Sequence, residues 1–160
     1  MQTISPHEGE RADFPNLGTR YLLRKEDTDG QFALVEHRIP PRALAAPMHV
    51  HEHEDEYSYV LAGRVGVQVG DEVTEAGPGE LVVKPRGVPH AFWNAGDEEA
   101  RLLELISPPA FASYFVEMAP VLSADGPPDI ERLGAIQRKY ALSMDPESRG
   151  RLMQKHGLER

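Results

Sequence analysis

Two short segments of the chain concentrate side chains that can bind a metal ion. The first, HVHEHEDE at residues 49–56, contains three histidines within five positions and four acidic residues, and the second, PRGVPHAFWN at residues 85–94, contains His90. The chain has no cysteine, so a protein metal site here must use nitrogen and oxygen ligands. Neutral imidazoles and carboxylates together suit a borderline divalent metal ion. A solvated polar loop would also explain the first segment.

Side-chain parity decides which of these residues can face a common point. On a strand, His49 and His51 point to the same side, whereas Glu56 has the opposite parity. The chain must therefore bend between His51 and Glu56 before a second strand presents Glu56 inward. We interpret His53 as a loop histidine, and Glu52, Glu54 and Asp55 as a solvated acidic loop.

Short apolar-alternating runs between Thr19 and about Leu105 predict many strands separated by turns rich in Gly, Pro and Asp. The candidate strands are TRYLLR, FALVEHRI, MHVHE, EYSYVLA, RVGVQVG, EVTEA, ELVVKP, HAFWNA and ARLLELI. In RVGVQVG, for example, Val65, Val67 and Val69 share one face. Closely spaced short strands favour an antiparallel sandwich or barrel.

After Ile106 the apolar residues recur at the spacing of an α-helix. Phe111, Tyr114, Phe115, Met118 and Leu122 form one predicted stripe. A second predicted helix, in PPDIERLGAIQRKYALSM, carries a stripe of Ile130, Leu133, Ile136 and Tyr140, and a third runs from Pro146 to His156. These helices either cover the outside or one end of the barrel, or form a lid over its pocket.

Composition narrows the class of protein. The 160 residues suit one domain, and 17 basic against 26 acidic residues give a net charge of −9. The electrostatic field of this negative charge would repel nucleic acid and anionic membranes, so neither is expected as a partner. The N-terminal sequence lacks the pattern of a secretory signal, and the most apolar stretch is interrupted by charges and prolines. A cytoplasmic protein is expected.

The spacing of the two segments resembles the cupin superfamily of small metal-binding barrels. One cupin motif, G-x5-H-x-H-x(3,4)-E-x6-G, is matched from His49 to Gly63, although Ala43 stands at its opening glycine. The other, G-x5-P-x-G-x2-H-x3-N, is matched in full from Gly79 to Asn94. The resemblance implies an all-β antiparallel double-stranded β-helix, a jelly roll, with C-terminal helices packed on it.

The resemblance also implies a domain organisation and an assembly. Residues 1–108 would form the cupin barrel, with a core at about 15–108, and residues 109–160 a helical appendage that is not a separate domain. TRYLLR is a plausible sheet edge, and small cupins commonly dimerise through such strands, so a homodimer is expected.

The cupin motifs imply the roles of individual residues. His49, His51, Glu56 and His90 would bind one divalent metal ion, which could be Fe(II), Mn, Ni, Co, Cu or Zn. Glu56 is also the candidate catalytic base. Ser58 and Phe92 share the inward faces of Glu56 and His90 and are candidate substrate contacts. The remaining interpretations give no role in the site: Trp93 packs outside the barrel, Arg86 is solvated, and His7, His37 and His156 occupy surface or ordinary strand positions.

Three functions fit this resemblance. The leading expectation is an O2-dependent dioxygenase resembling quercetinase-like cupins, acting on a small enolisable or aromatic oxygenated substrate. The first alternative is a non-redox metal-dependent isomerase, lyase or cyclase that uses the metal as a Lewis acid. The second is a non-catalytic cupin that binds a small molecule or metal. Consumption of O2 during turnover would separate the first two.

Overall fold

The computed structural model describes residues 3–124 and 126–160, and its framework is two antiparallel five-stranded sheets. Nine strands lie in the barrel region: β1 (Gly18–Leu23), β2 (Ala33–Ile39), β3 (Ala43–His51), β4 (Asp55–Ala62), β5 (Val65–Val69), β6 (Glu72–Ala76), β7 (Leu81–Lys84), β8 (His90–Asn94) and β9 (Ala100–Ser107). A tenth, β10 (Leu142–Met144), comes from the C-terminal tail. The predicted all-β jelly roll is confirmed.

The two sheets interleave the chain as a double-stranded β-helix requires. One sheet has the order β1-β2-β9-β4-β7 and the other β10-β3-β8-β5-β6. Strand β9 shows why the sequence adopts this arrangement, since Ala100, Leu102, Glu104 and Ile106 alternate into the interior. One charged residue therefore lies in an otherwise apolar inward-facing row.

Strand β3 is longer than predicted. It begins at Ala43 rather than Met48, because the small residues preceding Met48 pair with β8 although they give little alternation. The turn before it differs in sequence from the cupin motif and contains a left-handed residue. Ala43 replaces the motif glycine, and Arg42 adopts the left-handed conformation with φ of 54°.

In the described part of the tail there are three α-helices, α1 (Ala112–Leu122), α2 (Ile130–Lys139) and α3 (Ser148–His156). Helix α2 ends next to Tyr140, the last residue of the predicted stripe, and the remainder of that segment forms β10, which pairs with β3 opposite His49–His51. The prediction that the apolar stripes are buried is partly correct. Tyr114, Phe115, Met118 and Ile136 are buried, whereas Leu122, the last residue of the first stripe, and Ile130, the first of the second, are exposed.

Trp93 packs on the outer side of β8, as predicted. Its ring stacks on His156 of α3 with 4.0 Å between centroids and joins an apolar cluster with Leu44 and Leu152. In the described ranges, no helix has the length and apolarity needed to cross a membrane.

Candidate metal centre

Strands β3, β4 and β8 bring the four predicted ligands together. One ligand atom from each of His49, His51, Glu56 and His90 lies within 4.8 Å of the others, and all four residues are buried. The predicted bend accounts for this convergence. Strand β3 ends at His51 and β4 begins at Asp55. Because the turn between them starts a new strand, Glu56 points inward although its parity differs from that of His49 and His51.

Hydrogen bonds orient two of the imidazoles. His49 Nδ1 lies 2.8 Å from the Pro47 carbonyl oxygen, and His90 Nδ1 lies 3.1 Å from that of Val88. A proton on each Nδ1 would leave Nε2 as the free ligand atom.

The buried nitrogens that remain fit a metal ion. Within residues 3–124 and 126–160, His90 Nε2 and both ring nitrogens of His51 are buried without a hydrogen-bond partner. Unpaired buried polar atoms are unfavourable unless another group satisfies them. A divalent ion held by the three imidazoles and Glu56 would satisfy both Nε2 atoms, so the donor set and its surroundings fit such an ion.

A buried ion-pair network, not predicted from the sequence, supports Glu56. Lys84 Nζ lies 2.9 Å from Glu56 Oε2 and 2.8 Å from Glu104 Oε2. Ser58 Oγ donates a hydrogen bond to the same Glu104 oxygen at 2.8 Å. Lys84 is only 1% exposed, so its charge is balanced by these carboxylates rather than by water.

Burial and charge set the ionisation of this network. Burial raises the pKa of Glu56, but Lys84 and the neighbouring imidazoles outweigh it and hold that pKa well below its usual range. Burial raises the pKa of Glu104 despite the nearby ammonium of Lys84. Burial also lowers the pKa of His49 well below its ordinary value. Glu56 is therefore an anion and the histidine is neutral, which are the protonation states that metal binding needs.

A cavity of about 540 Å³ opens beside the cluster. His49 and Glu56 form part of its wall. Most of the remaining wall is apolar or aromatic and comes from both the barrel and the tail, including Phe14, Phe92, Phe111, Tyr114, Phe115 and Met118. Residues of α1, α2 and β10 line the cavity, so the tail contributes to its enclosure.

His37 lies on strand β2, as one of its two interpretations allowed, but the surface alternative is wrong because the residue is buried. Its side chain is buried, lines the cavity and lies against Phe115, with 5.1 Å between ring centroids. Its Nδ1 is 3.1 Å from Thr19 Oγ1. Burial, with a further contribution from Lys84, lowers the pKa of His37 to about 4. The imidazole is therefore neutral at physiological pH.

The acidic loop is only partly solvated, because Glu54 is buried. Its burial in the turn between β3 and β4 follows from tertiary packing, which parity does not reveal. Glu52 and His53 are exposed, as predicted. Arg86 is largely exposed, also as predicted, and its guanidinium binds the Asp55 carboxylate at 2.7 Å, which joins the two loops that flank the site.

The predicted substrate contacts occupy different surroundings. Phe92 lines the cavity, whereas Ser58 is buried against Glu104 and lies outside the set of cavity-lining residues in the described structure. The substrate-binding role of both stays a prediction. Lys84 and Glu104 were missed, although each is a charged residue at an inward position of an apolar strand, in LVVK and ARLLELI.

Comparison with known proteins agrees with the fold. The sequence model of the family described as "Cupin domain" matches residues 35–106. Uncharacterized protein SCO3923 of Streptomyces coelicolor is 39% identical over 102 residues, which cover 64% of this chain and 90% of that protein. This fold, these motifs and these matches define the class: the chain belongs to the cupin superfamily.

Two further relatives have informative names. "Polyketide synthase CurC" of Streptomyces cyaneus is 33% identical over 81 residues, covering 48% of this chain and about half, 52%, of that protein. The crystal structure of the polyketide cyclase RemF from Streptomyces resistomycificus aligns with a TM-score of 0.57 and 29% identity. That alignment covers 68% of this chain and 80% of RemF.

Proposed function

We propose that this protein is a metal-dependent cyclase acting on a poly-β-carbonyl substrate of the aromatic polyketide class. The observation that carries the proposal is the aromatic-lined cavity of about 540 Å³ with His49 and Glu56 in its wall. A volume of this size lies within the range of small-molecule sites, which is roughly 300–1,000 Å³. The apolar wall suits an extended, uncharged carbon chain rather than a small dianion.

The proposed metal ligands are His49, His51, Glu56 and His90. A divalent ion held there would act as a Lewis acid that polarises a carbonyl oxygen of the substrate and stabilises its enolate. Lys84 holds the Glu56 carboxylate in place through its 2.9 Å contact. This fixed position beside the three imidazoles supports a ligand role for Glu56 better than the predicted role as catalytic base.

We assign proton transfer to His37. A methylene group between two carbonyls loses a proton to the neutral imidazole, and the carbanion attacks a second carbonyl carbon of the same chain. A carbon–carbon bond forms, the carbonyl oxygen takes up the proton, and loss of water completes the ring. The reaction is balanced without an oxidant or reductant. Phe92, Phe111 and Tyr114 would hold the folded chain and exclude bulk water.

The relatives support this substrate class. RemF, which is 29% identical to this chain, is named a polyketide cyclase. CurC, which is 33% identical, is named a polyketide synthase. The leading expectation from the sequence, a quercetinase-like dioxygenase, has no comparable support among these relatives. The four-ligand cluster and apolar cavity are compatible with O2 chemistry as well, so it is the second candidate.

One experiment separates the two candidates. The zinc- or manganese-loaded protein is added to a poly-β-ketone chain generated in situ by a minimal aromatic polyketide synthase, under nitrogen and in air, and products are analysed by mass spectrometry. The proposal predicts ring closure with loss of water and no O2 dependence. Oxygen incorporation, with turnover only in air, would favour the dioxygenase instead.

The His37→Gln variant tests the assigned proton transfer. Loss of a positioned acid–base group should reduce turnover by roughly 10²–10⁴-fold. Zinc affinity should stay at the wild-type value, because His37 is not one of the four clustered ligands. Unchanged turnover would contradict the assignment of His37 while leaving the proposed metal centre intact.

A further inference from the structure

His51 differs from the other two clustered histidines in the partner of its Nδ1 atom. His49 and His90 each place Nδ1 at a backbone carbonyl, at 2.8 and 3.1 Å. His51 Nδ1 is buried and has no hydrogen-bond partner anywhere in the described ranges. The carboxylate oxygen Oε2 of Glu54 lies 4.0 Å away. One imidazole of the cluster thus faces a carboxylate across a short gap.

Glu54 also has a buried polar atom without a hydrogen-bond partner. Its side chain is 4% exposed, and Oε2 is buried without a hydrogen-bond partner among the residues of the described structure. A buried carboxylate oxygen and a buried ring nitrogen that are both unpaired are each unfavourable. Their position opposite one another provides a direct way to satisfy both.

We propose that Glu54 is the positioning residue for His51 in the metal-bound protein, where it accepts a hydrogen bond from His51 Nδ1. This inference rests on the proposed metal centre. A histidine that offers Nε2 to a metal carries its proton on Nδ1, and an acceptor for that proton fixes the tautomer and ring orientation and increases the basicity of the ligand. Glu54 thereby makes His51 the strongest donor of the three imidazoles.

The surroundings exclude the neighbouring acids from this role. Glu52 is exposed, and Asp55 already binds Arg86. Glu56 lies on the other side of the ring, with Oε1 3.5 Å from His51 Nε2. The ring of His51 also packs edge-on against Phe111 at 4.1 Å, which limits its rotation. Glu54 is the acid that faces Nδ1.

The first test is a competitive zinc titration of the wild-type protein and of Glu54→Leu, Glu54→Gln and the matched control Glu52→Gln. Zinc affinity should fall roughly 10–100-fold in Glu54→Leu, the effect expected for loss of a partner of a metal-binding histidine. Glu54→Gln keeps a neutral acceptor and should lose less. Glu52→Gln should bind like wild type. Wild-type affinity in Glu54→Leu would overturn the inference alone, whereas failure of the wild-type protein to bind zinc would overturn the metal centre as well.

The metal-free melting temperature distinguishes positioning from support of the fold. Because the buried Oε2 atom of Glu54 has no hydrogen-bond partner in the described structure, Glu54→Leu should melt at or above the wild-type temperature while binding zinc more weakly. A lower metal-free melting temperature with unchanged zinc affinity would show a structural role only and would contradict the inference.

Nuclear magnetic resonance gives an independent readout should Glu54→Leu fail to fold. In the zinc-loaded wild-type protein, His51 should carry a proton on Nδ1 with a downfield resonance typical of a hydrogen bond to a carboxylate. The resonance should move upfield in Glu54→Gln. An identical His51 Nδ1–H resonance in both proteins would overturn the inference.

Discussion

Lys84 and Glu56 form a buried ion pair, with 2.9 Å between Nζ and Oε2, while the other carboxylate oxygen, Oε1, lies 3.5 Å from His51 Nε2. Glu104 completes the charge balance at 2.8 Å from the same ammonium. The two carboxylates hold the pKa of Lys84 above its ordinary value although burial lowers it. The ammonium therefore fixes a carboxylate that the candidate metal centre needs.

Removal of the Lys84 charge should destabilise the protein strongly. Lys84→Met keeps the aliphatic length but leaves Glu56 and Glu104 without their buried partner. Loss of one member of a buried ion pair costs roughly 3–5 kcal/mol. Urea unfolding of the metal-free protein would measure this loss. The matched control is Lys139→Met, whose ion pair with Glu117 has a lysine side chain 58% exposed and should cost less than about 1 kcal/mol. Equal, small losses in both variants would contradict the account.

The buried neutral state of His37 should make stability depend on pH. Its pKa falls from 6.5 in the unfolded chain to about 4 in the fold, so the unfolded state binds more protons between these values. The stabilisation is present above about pH 6.5 and is lost as the pH falls towards 4. Its size is roughly 3 kcal/mol. Lys84 lowers this pKa further, while Glu56 and Glu36 oppose the shift.

The test compares urea unfolding of the metal-free wild-type protein and of His37→Gln from pH 7 to pH 4. The difference in unfolding free energy between the two should change by up to roughly 3 kcal/mol over this range. His53→Gln, which alters an exposed loop histidine, should follow the wild-type curve. Parallel curves for wild type and His37→Gln would show that His37 is not buried as a neutral group.

Gly66 is required by the close approach of Trp93. A Cβ at residue 66 would lie 2.1 Å from Trp93 Nε1. Gly66→Ala should therefore destabilise the protein by about 1–3 kcal/mol through overpacking. Gly150→Ala in α3 is the control, since nothing lies within 4 Å of its added Cβ, and it should stabilise the helix by about 0.5–1 kcal/mol. Thermal unfolding that ranks the two variants in the opposite order would contradict the packing.

Homodimer formation stays a prediction. Strand β1 lies at a sheet edge, as expected, but its backbone already bonds the preceding segment, with Ala12 N 2.9 Å from the Thr19 oxygen and Tyr21 N 2.9 Å from the Glu10 oxygen. A dimer formed through β1 would have to displace or exchange that segment. Light scattering should give the dimer mass, and a monomer mass at micromolar concentration would reject the prediction.

The elements that carry strong local signals were predictable from the sequence. Alternation identified the barrel strands. The match to the two cupin motifs identified four residues that the fold brings together, and parity explains how strand residues can face one point. The bend between His51 and Glu56 followed from the same rule. Phe92 and Trp93 faced opposite sides, as their parity required.

The other features depend on tertiary contacts that local patterns do not contain. Strand β10 has only three residues, which is too short for a recognisable alternation, and exists because it pairs with β3. Lys84 and Glu104 lie on strands adjacent to β4, so their pairing depends on sheet order. Burial of Glu54 and His37 likewise depends on what packs against them.

The most direct test of the central claim, the metal centre, is the melting temperature with and without zinc at pH 7.5 and pH 5.5 for wild type, His90→Ala and His53→Ala. Zinc bound only by the folded state should raise the wild-type melting temperature at pH 7.5. Protonation of the histidine ligands should weaken the increase at pH 5.5. His53→Ala should retain the zinc-dependent increase, and His90→Ala should lose most of it. Loss of the increase in His53→Ala with retention in His90→Ala would contradict the assigned ligands.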